Sequence, residues 1–170
     1  SLLFAAMIAW IAAGPFLVMD TFHYGAVAFG LIQGLIFGTF IFGTRLVSQL
    51  IEKISMERIT KLSISLAIFG GILSFALCEM TDYLAALVLP MMIFALGAGM
   101  GFPVFNRLSI EGSQEPMGIK IALFASFMGV SGLVGSGIVS FWYTGSLAGF
   151  AFFLFIFALC LIPLYGKYSN

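Results

Sequence analysis

Long apolar runs divided by short breaks are the dominant feature of this sequence. The runs cover about residues 2–20, 26–50, 59–78, 84–106, 118–142 and 147–166, and the charges gather in or beside the breaks. A helix needs about 20 apolar residues to cross a bilayer, which matches these lengths. Strands of a membrane barrel would be about half as long and would alternate apolar with polar residues. The pattern therefore predicts an all-α, polytopic membrane protein with six transmembrane helices.

The composition argues against soluble and enzymatic functions. Apolar residues make up 62% of the chain and charged residues 8%, against about 25% charged in a soluble domain. The formal net charge is zero, so charge gives no reason to expect a nucleic-acid partner. With one histidine and no phosphate-binding loop, we expect neither an enzyme nor a cofactor. Cys78 and Cys160 lie in or beside apolar runs and are interpreted as packing residues rather than metal ligands.

The basic residues predict the orientation in the membrane. With six spans, all seven fall on one side of the bilayer, and the other side carries Asp20, His23, Glu79 and Asp82. Basic residues beside span ends mark the cytoplasmic side. We therefore expect both termini in the cytoplasm and the protein in a bacterial inner membrane. The seven are Arg45, Lys53, Arg58, Lys61, Arg107, Lys120 and Lys167.

Glycine and proline interrupt corresponding runs of the two halves. Interrupted helices at matching positions of two halves indicate transporter repeats, and units of three spans must be inverted relative to each other. Glycines four residues apart allow either tight helix packing or a smooth surface for helix movement, and both interpretations stay open. The predicted helix-break or gating residues are Gly14 and Pro15 in the first run, Gly30, Gly34 and Gly38 in the second, and Gly101 and Pro103 in the fourth.

Polar groups within the runs are candidates for function because they are costly in a bilayer. Gln33 is either an interhelical hydrogen-bond partner or a cavity-lining residue, and Trp10 lies too deep for an interfacial anchor. Asn106 ends the fourth run. Asp20 is either a solvated residue at a helix end or a proton-linked group. No acidic residue occupies the middle of a run.

The order of several short motifs resembles major facilitator superfamily multidrug/proton antiporters of the MdfA type, related to the Bcr/CflA group. The first two runs carry Ala9-Trp10-Ile11-Ala12, then Pro15, then Phe29-Gly30-Leu31-Ile32-Gln33. Later elements are Gly43-x-x-Leu46 through Arg58, Gly97-x-Gly99, Arg107-Leu108 and Gly118. The likeness extends along essentially the whole chain.

This resemblance implies that residues 1–170 are the C-terminal six-helix bundle of a twelve-helix transporter. Its partners would be the N-terminal six-helix half, the lipid bilayer, a small-molecule substrate and protons. The first, second, fourth and fifth spans would line a central cavity, and Met7, Ile8 and Ile11 would contact substrate. The chain also opens inside apolar sequence, at Ser1-Leu2-Leu3-Phe4, which favours a fragment or half of a larger protein.

We therefore expect proton-coupled efflux of small amphipathic molecules by alternating access. Two alternatives remain: a specific metabolite or siderophore transporter working in either direction, and a self-sufficient six-helix protein that acts as a homodimer. The expected cavity-lining residues are Met7, Ile8, Trp10, Ile11, Gln33 and Asn106.

Overall fold

Six α-helices form the protein in the computed structural model, which describes residues 1–112, 114–142 and 146–167. A five-residue π-helical segment, Leu17–Thr21, continues the first helix. No strand occurs in these ranges, so the predicted all-α fold with six helices is confirmed. The helices are α1 (Leu2–Phe16), α2 (Ala26–Leu50), α3 (Met56–Met80), α4 (Ala85–Glu111), α5 (Met117–Trp142) and α6 (Leu147–Lys167).

The helix bounds follow the apolar runs closely, except at two polar ends. α3 begins three residues early, at Met56, and α4 continues past the fourth run to Glu111. In that extension Arg107 Nε donates to Glu111 Oε1 at 2.6 Å, one helical turn away. An apolar run marks the part of a helix that crosses hydrocarbon, and the helix itself continues into the interface.

Five of these helices are long and apolar enough to cross a membrane when α1 is counted together with its π-helical continuation, and the apolar stretch Leu147–Pro163 of α6 is shorter. α6 extends beyond that stretch to Lys167, which lengthens it by about 6 Å at 1.5 Å per residue. The described residues therefore form a six-helix membrane protein.

The helices pack in an order that reads the same from either half. α4 packs on α2 and α3, α3 packs on α6, and α1 packs on α5 and more lightly on α6. The neighbour order is thus α2–α4–α3–α6–α1–α5. If α1 is exchanged with α4, α2 with α5 and α3 with α6, the result is the same series of neighbours read from the other end. Since each unit holds three spans, the two units run in opposite directions across the membrane.

Glycines bring the backbones into contact where α2 crosses α4 and α5 crosses α1. A Cβ added to Gly99 would collide with the carbonyl oxygen of Phe40, and one added to Gly135 would collide with that of Ala5. A Cβ on Gly43 would lie 2.5 Å from the carbonyl oxygen of Leu96. Gly43 of α2 therefore faces the backbone of α4, and Gly135 of α5 faces the backbone of α1 in the corresponding way.

The predicted glycine stripe of α2 has a different environment. A Cβ added to Gly30, Gly34 or Gly38 would meet no atom within 4 Å. The tight packing that their spacing allows is therefore not made by the part of this chain that the structure describes. Gly101 does pack tightly, since a Cβ there would collide with Ser63 Oγ.

Pro103 leaves one helix carbonyl without its usual partner, and α2 supplies another. Proline has no N–H, so the carbonyl of Gly99, four residues earlier, loses its intrahelical hydrogen bond. Thr44 Oγ1 lies 3.1 Å from that oxygen and 3.2 Å from the carbonyl oxygen of Phe40. The Thr44 hydroxyl therefore joins α2 to α4 one turn before Pro103.

We expect Thr44→Val to lower the free energy of unfolding by about 1 kcal/mol, because the Gly99 carbonyl loses its donor. Thr39→Val is the matched control on the same helix, since the exposed Thr39 hydroxyl donates to Leu35 of its own helix at 2.7 Å. Unfolding of the purified gene product in mixed detergent micelles measures both. Equal losses in the two variants would contradict this role of Thr44.

Candidate functional site

A hydrogen bond between Trp10 and Gln33 joins α1 to α2 in the middle of the bundle. Trp10 Nε1 donates to Gln33 Oε1 at 2.7 Å. The indole is fully buried, and its ring lies edge-on to Phe150 of α6 with centroids 5.8 Å apart. A Cβ on Gly14 would lie 3.2 Å from the indole ring, so this glycine leaves space for it. The structure thus brings together two residues that the sequence had singled out separately.

Helix α1 has one face inside the bundle and one that is partly open. Met7 and Trp10 lie on the inner face and are buried. Ile8 is half-buried and Ile11 is 41% exposed on the adjacent, partly open face. Among the predicted cavity residues of α1, Ile8 and Ile11 are therefore accessible, whereas Met7 and Trp10 lie behind them.

Pro15 marks the end of regular α-helix in the first span. Its missing N–H frees the carbonyl of Ile11, and the π-helical segment Leu17–Thr21 follows within one turn. π-Helical turns occur frequently at functional sites. Asp20 is exposed within this segment, away from the Trp10–Gln33 pair. The segment ends before His23, whose φ of 55° turns the chain toward α2.

Asn106 lies apart from the Trp10–Gln33 pair. Gly101, five residues earlier on α4, faces Leu3 at the start of α1, and a Cβ added to it would lie 3.0 Å from Leu3 Cδ1. Asn106 is half-buried and one turn further toward that end of the bundle. At 1.5 Å per residue it is therefore roughly 10 Å or more along the axis from Trp10.

A cavity of about 610 Å³ opens between α1, α4 and α5 near the same end. We call it the phenylalanine cavity, after the five rings that line it: Phe4, Phe102, Phe105, Phe124 and Phe127. Lys120 and Glu115 are the charged residues in its lining. Sequence reasoning missed this cavity. The signals were pairs of phenylalanines three residues apart on α4 and α5, and a lysine just inside the fifth run.

Within the described ranges, no three His, Cys, Asp or Glu side chains lie close enough together to hold a metal ion. The polar groups of the Trp10–Gln33 pair, an indole N–H and an amide, suit hydrogen bonding to a neutral or amphipathic molecule rather than metal coordination.

A double-mutant cycle tests the Trp10–Gln33 bond. Gln33→Leu leaves a buried indole N–H without an acceptor, which we expect to cost about 1–3 kcal/mol of unfolding free energy. Trp10→Phe removes the donor, so adding Gln33→Leu to it should cost about 1 kcal/mol less than in the native background. Denaturation of the four purified proteins measures this coupling, and strictly additive losses would contradict the bond.

Comparison with known proteins gives a weak similarity to a resistance protein. No family model matches the chain. The chain is similar to the chloramphenicol resistance protein CraA of Acinetobacter baumannii, with 23% identity over 131 residues. The match covers 74% of this chain and 32% of that protein, so the chain spans about a third of the length of this relative. Together with the apolar helices, this similarity indicates an integral membrane protein.

Proposed function

We propose that this chain is the C-terminal six-helix half of a major facilitator-type transporter that exports small amphipathic molecules. The observation that carries the proposal is the Trp10–Gln33 pair beside the open face of α1, where polar groups and accessible apolar side chains lie close together near the middle of the first span. The similarity to a longer chloramphenicol resistance protein, of which the match covers 32%, supports both the class of activity and the missing half.

The exposure of α2 and α5 supports a second six-helix partner. In the most apolar 18-residue window of each helix, 11% of the residues are buried, compared with 67% in α4. α2 also presents the open positions of Gly30, Gly34 and Gly38, where an added Cβ would meet no atom within 4 Å. The N-terminal half would complete the walls of the central cavity around these surfaces and leave the glycine face of α2 open to the water inside it.

The residues of the site have different roles in this proposal, according to their distance from the guest molecule. Ile8 and Ile11 contact it, and flexible apolar contacts suit loose selectivity. Gln33 uses its oxygen to accept from Trp10, so its amide N–H groups remain to donate to the guest. Met7 and Trp10 support these residues from behind, and Asn106 lies nearer the end of the cavity.

The helix breaks supply the movement in this proposal. Gly14 and Pro15 in α1, and Gly101 and Pro103 in α4, allow the two central helices to bend as the cavity opens to one side and then the other. Protons would drive the cycle through carboxylates of the partner half, with Asp20, in the π-helical segment at the outer end of the first span, as a secondary proton-linked candidate. Both termini of this chain would lie in the cytoplasm of a bacterial cell.

Accumulation assays test this function. Everted inner-membrane vesicles containing the gene product should take up chloramphenicol when energised, and a protonophore should abolish the uptake. A panel of lipophilic cations, siderophores and metabolites distinguishes broad export from a specific carrier. Uptake of none of these compounds would contradict the proposal. Six further spans in the preceding coding region are expected, and their absence would favour the homodimer.

A further inference from the structure

We propose that the phenylalanine cavity is a second ligand site, which takes aromatic amphiphiles bearing an acceptor or anionic group on their way to the mid-membrane site. This inference rests on the proposed export function for its direction, and on the cavity itself for the ligand class. A volume of about 610 Å³ lies within the range of about 300–1,000 Å³ that small-molecule sites occupy.

The helix packing explains why the cavity exists. α4 packs on α2 and α3, α5 packs on α1, and α4 and α5 barely touch. Phe102 and Phe124 meet across the gap between α4 and α5, with ring centroids 6.4 Å apart in a T-shaped pair. Aromatic rings prefer such edge-to-face neighbours. An aromatic guest therefore finds matching partners on both walls.

Lys120 gives the cavity a preference for ligands with a hydrogen-bond acceptor or an anionic group. Its ammonium donates to the carbonyl oxygen of Ile110 at 2.8 Å, near the C-terminal end of α4. That bond holds the charge in place and uses one of three N–H donors, so the others are available to a ligand. Ser109 donates its hydroxyl to Phe105 at 2.8 Å and can only accept from a guest. Glu115, the other charged residue of the lining, already has an interaction of its own. The donors of Lys120 thus favour a guest with a nitro, carboxylate or sulfonate group.

One face of α1 connects the cavity to the mid-membrane site. Phe4 lines the cavity, and Ile8 and Ile11 follow on the same side of the helix, about 10 Å along the axis from Phe4 to Ile11. Gly132 of α5 faces this path, and a Cβ added to it would lie 3.4 Å from the Phe4 ring and 3.5 Å from Ile8. α5 thus forms one wall of the path at Gly132, where the glycine adds no side chain of its own.

Two probes with one ring system and opposite charge test the site. The purified gene product in nanodiscs is titrated with 1-naphthalenesulfonate and with 1-naphthalenemethylammonium. We expect tighter binding of the sulfonate, and a loss of about tenfold in its affinity in Lys120→Gln. Lys120→Arg should restore sulfonate binding. The matched control is Lys61→Gln, a half-buried lysine on α3 outside the cavity lining, which should leave it unchanged.

A second variant makes the test independent of Lys120. Leu123 lines the cavity and is 52% exposed, so Leu123→Trp should fill the space without disturbing the core and should reduce sulfonate binding at least tenfold. Equal affinity for both probes, or sulfonate binding that neither variant changes, would overturn the proposal. Absence of sulfonate binding until bound phospholipid is stripped away would assign the cavity to a lipid instead.

Export and binding measured on the same variants distinguish failure of the second site from failure of the export function. Lys120-dependent sulfonate binding without export of any compound would contradict the export function and leave the second site standing. Export of chloramphenicol with sulfonate binding that ignores Lys120 and Leu123 would contradict the second site alone.

Discussion

Gly43→Ala should destabilise the folded helices by about 2 kcal/mol, whereas Gly34→Ala on the same helix should leave stability unchanged or raise it by up to about 1 kcal/mol. A Cβ on Gly43 would lie 2.5 Å from the Leu96 carbonyl oxygen and 3.2 Å from the Met100 nitrogen. Both obstacles are backbone, so α2 and α4 must separate. At Gly34 the same methyl group meets nothing within 4 Å. Unfolding in mixed micelles measures the two variants under identical conditions.

This pair distinguishes packing from helix propensity. Alanine favours a helix over glycine by up to about 1 kcal/mol, and that benefit applies at both positions. A loss confined to Gly43→Ala therefore reports the α2–α4 crossing. Gly99→Ala, which meets the Phe40 carbonyl oxygen in the same crossing, should behave like Gly43→Ala. Similar stability in Gly43→Ala and Gly34→Ala would contradict the described contact between these helices.

Ile11→Lys should abolish export while leaving the amount of folded protein near normal. Ile11 is 41% exposed and, in the proposed transporter, faces a wet cavity where an ammonium stays hydrated. The charge would block or repel the guest at the centre of its path. Export of chloramphenicol by intact cells, normalised to protein in the membrane, should fall at least tenfold.

Phe69→Lys is the matched control for this substitution. Phe69 lies in the middle of α3 and is 55% exposed, so its surface is comparable to that of Ile11. If α3 faces lipid, a lysine there costs about 2.5–3.5 kcal/mol on insertion and should reduce the folded protein itself. Normal export by Ile11→Lys would remove Ile11 from the guest-binding site.

The sequence predicted the fold because apolar run length is a direct physical signal. A bilayer imposes about 20 apolar residues on each span, and α2 begins and ends at the predicted residues 26 and 50. The extension of α4 through Arg107 to Glu111 could not be predicted this way, because an interfacial helix end carries ordinary polar residues. The π-helical segment after Pro15 was not predicted either, since proline indicates a break but not the geometry that follows.

The candidate site was only partly predictable. Trp10 and Gln33 stood out because polar groups are rare in such runs, but their mutual hydrogen bond depends on how α1 and α2 pack. The glycine spacing of Gly30, Gly34 and Gly38 could not reveal that this stripe lacks a neighbour within the described residues. The phenylalanine cavity was missed because it arises where α4 and α5 stay apart, and the spacing between packed helices cannot be predicted from the order of residues along the chain.

Thiol labelling tests most directly whether the glycine-bearing helices face a wet cavity. In a background with Cys78→Ala and Cys160→Ala, single cysteines are placed at Ile11 and Gly34, and at Phe69 and Phe152 on α3 and α6. A charged, water-soluble methanethiosulfonate reagent should modify the first two rapidly and the last two slowly or not at all. Rapid modification at Phe69 and Phe152, with Ile11 and Gly34 protected, would contradict a wet cavity on the side of α1 and α2.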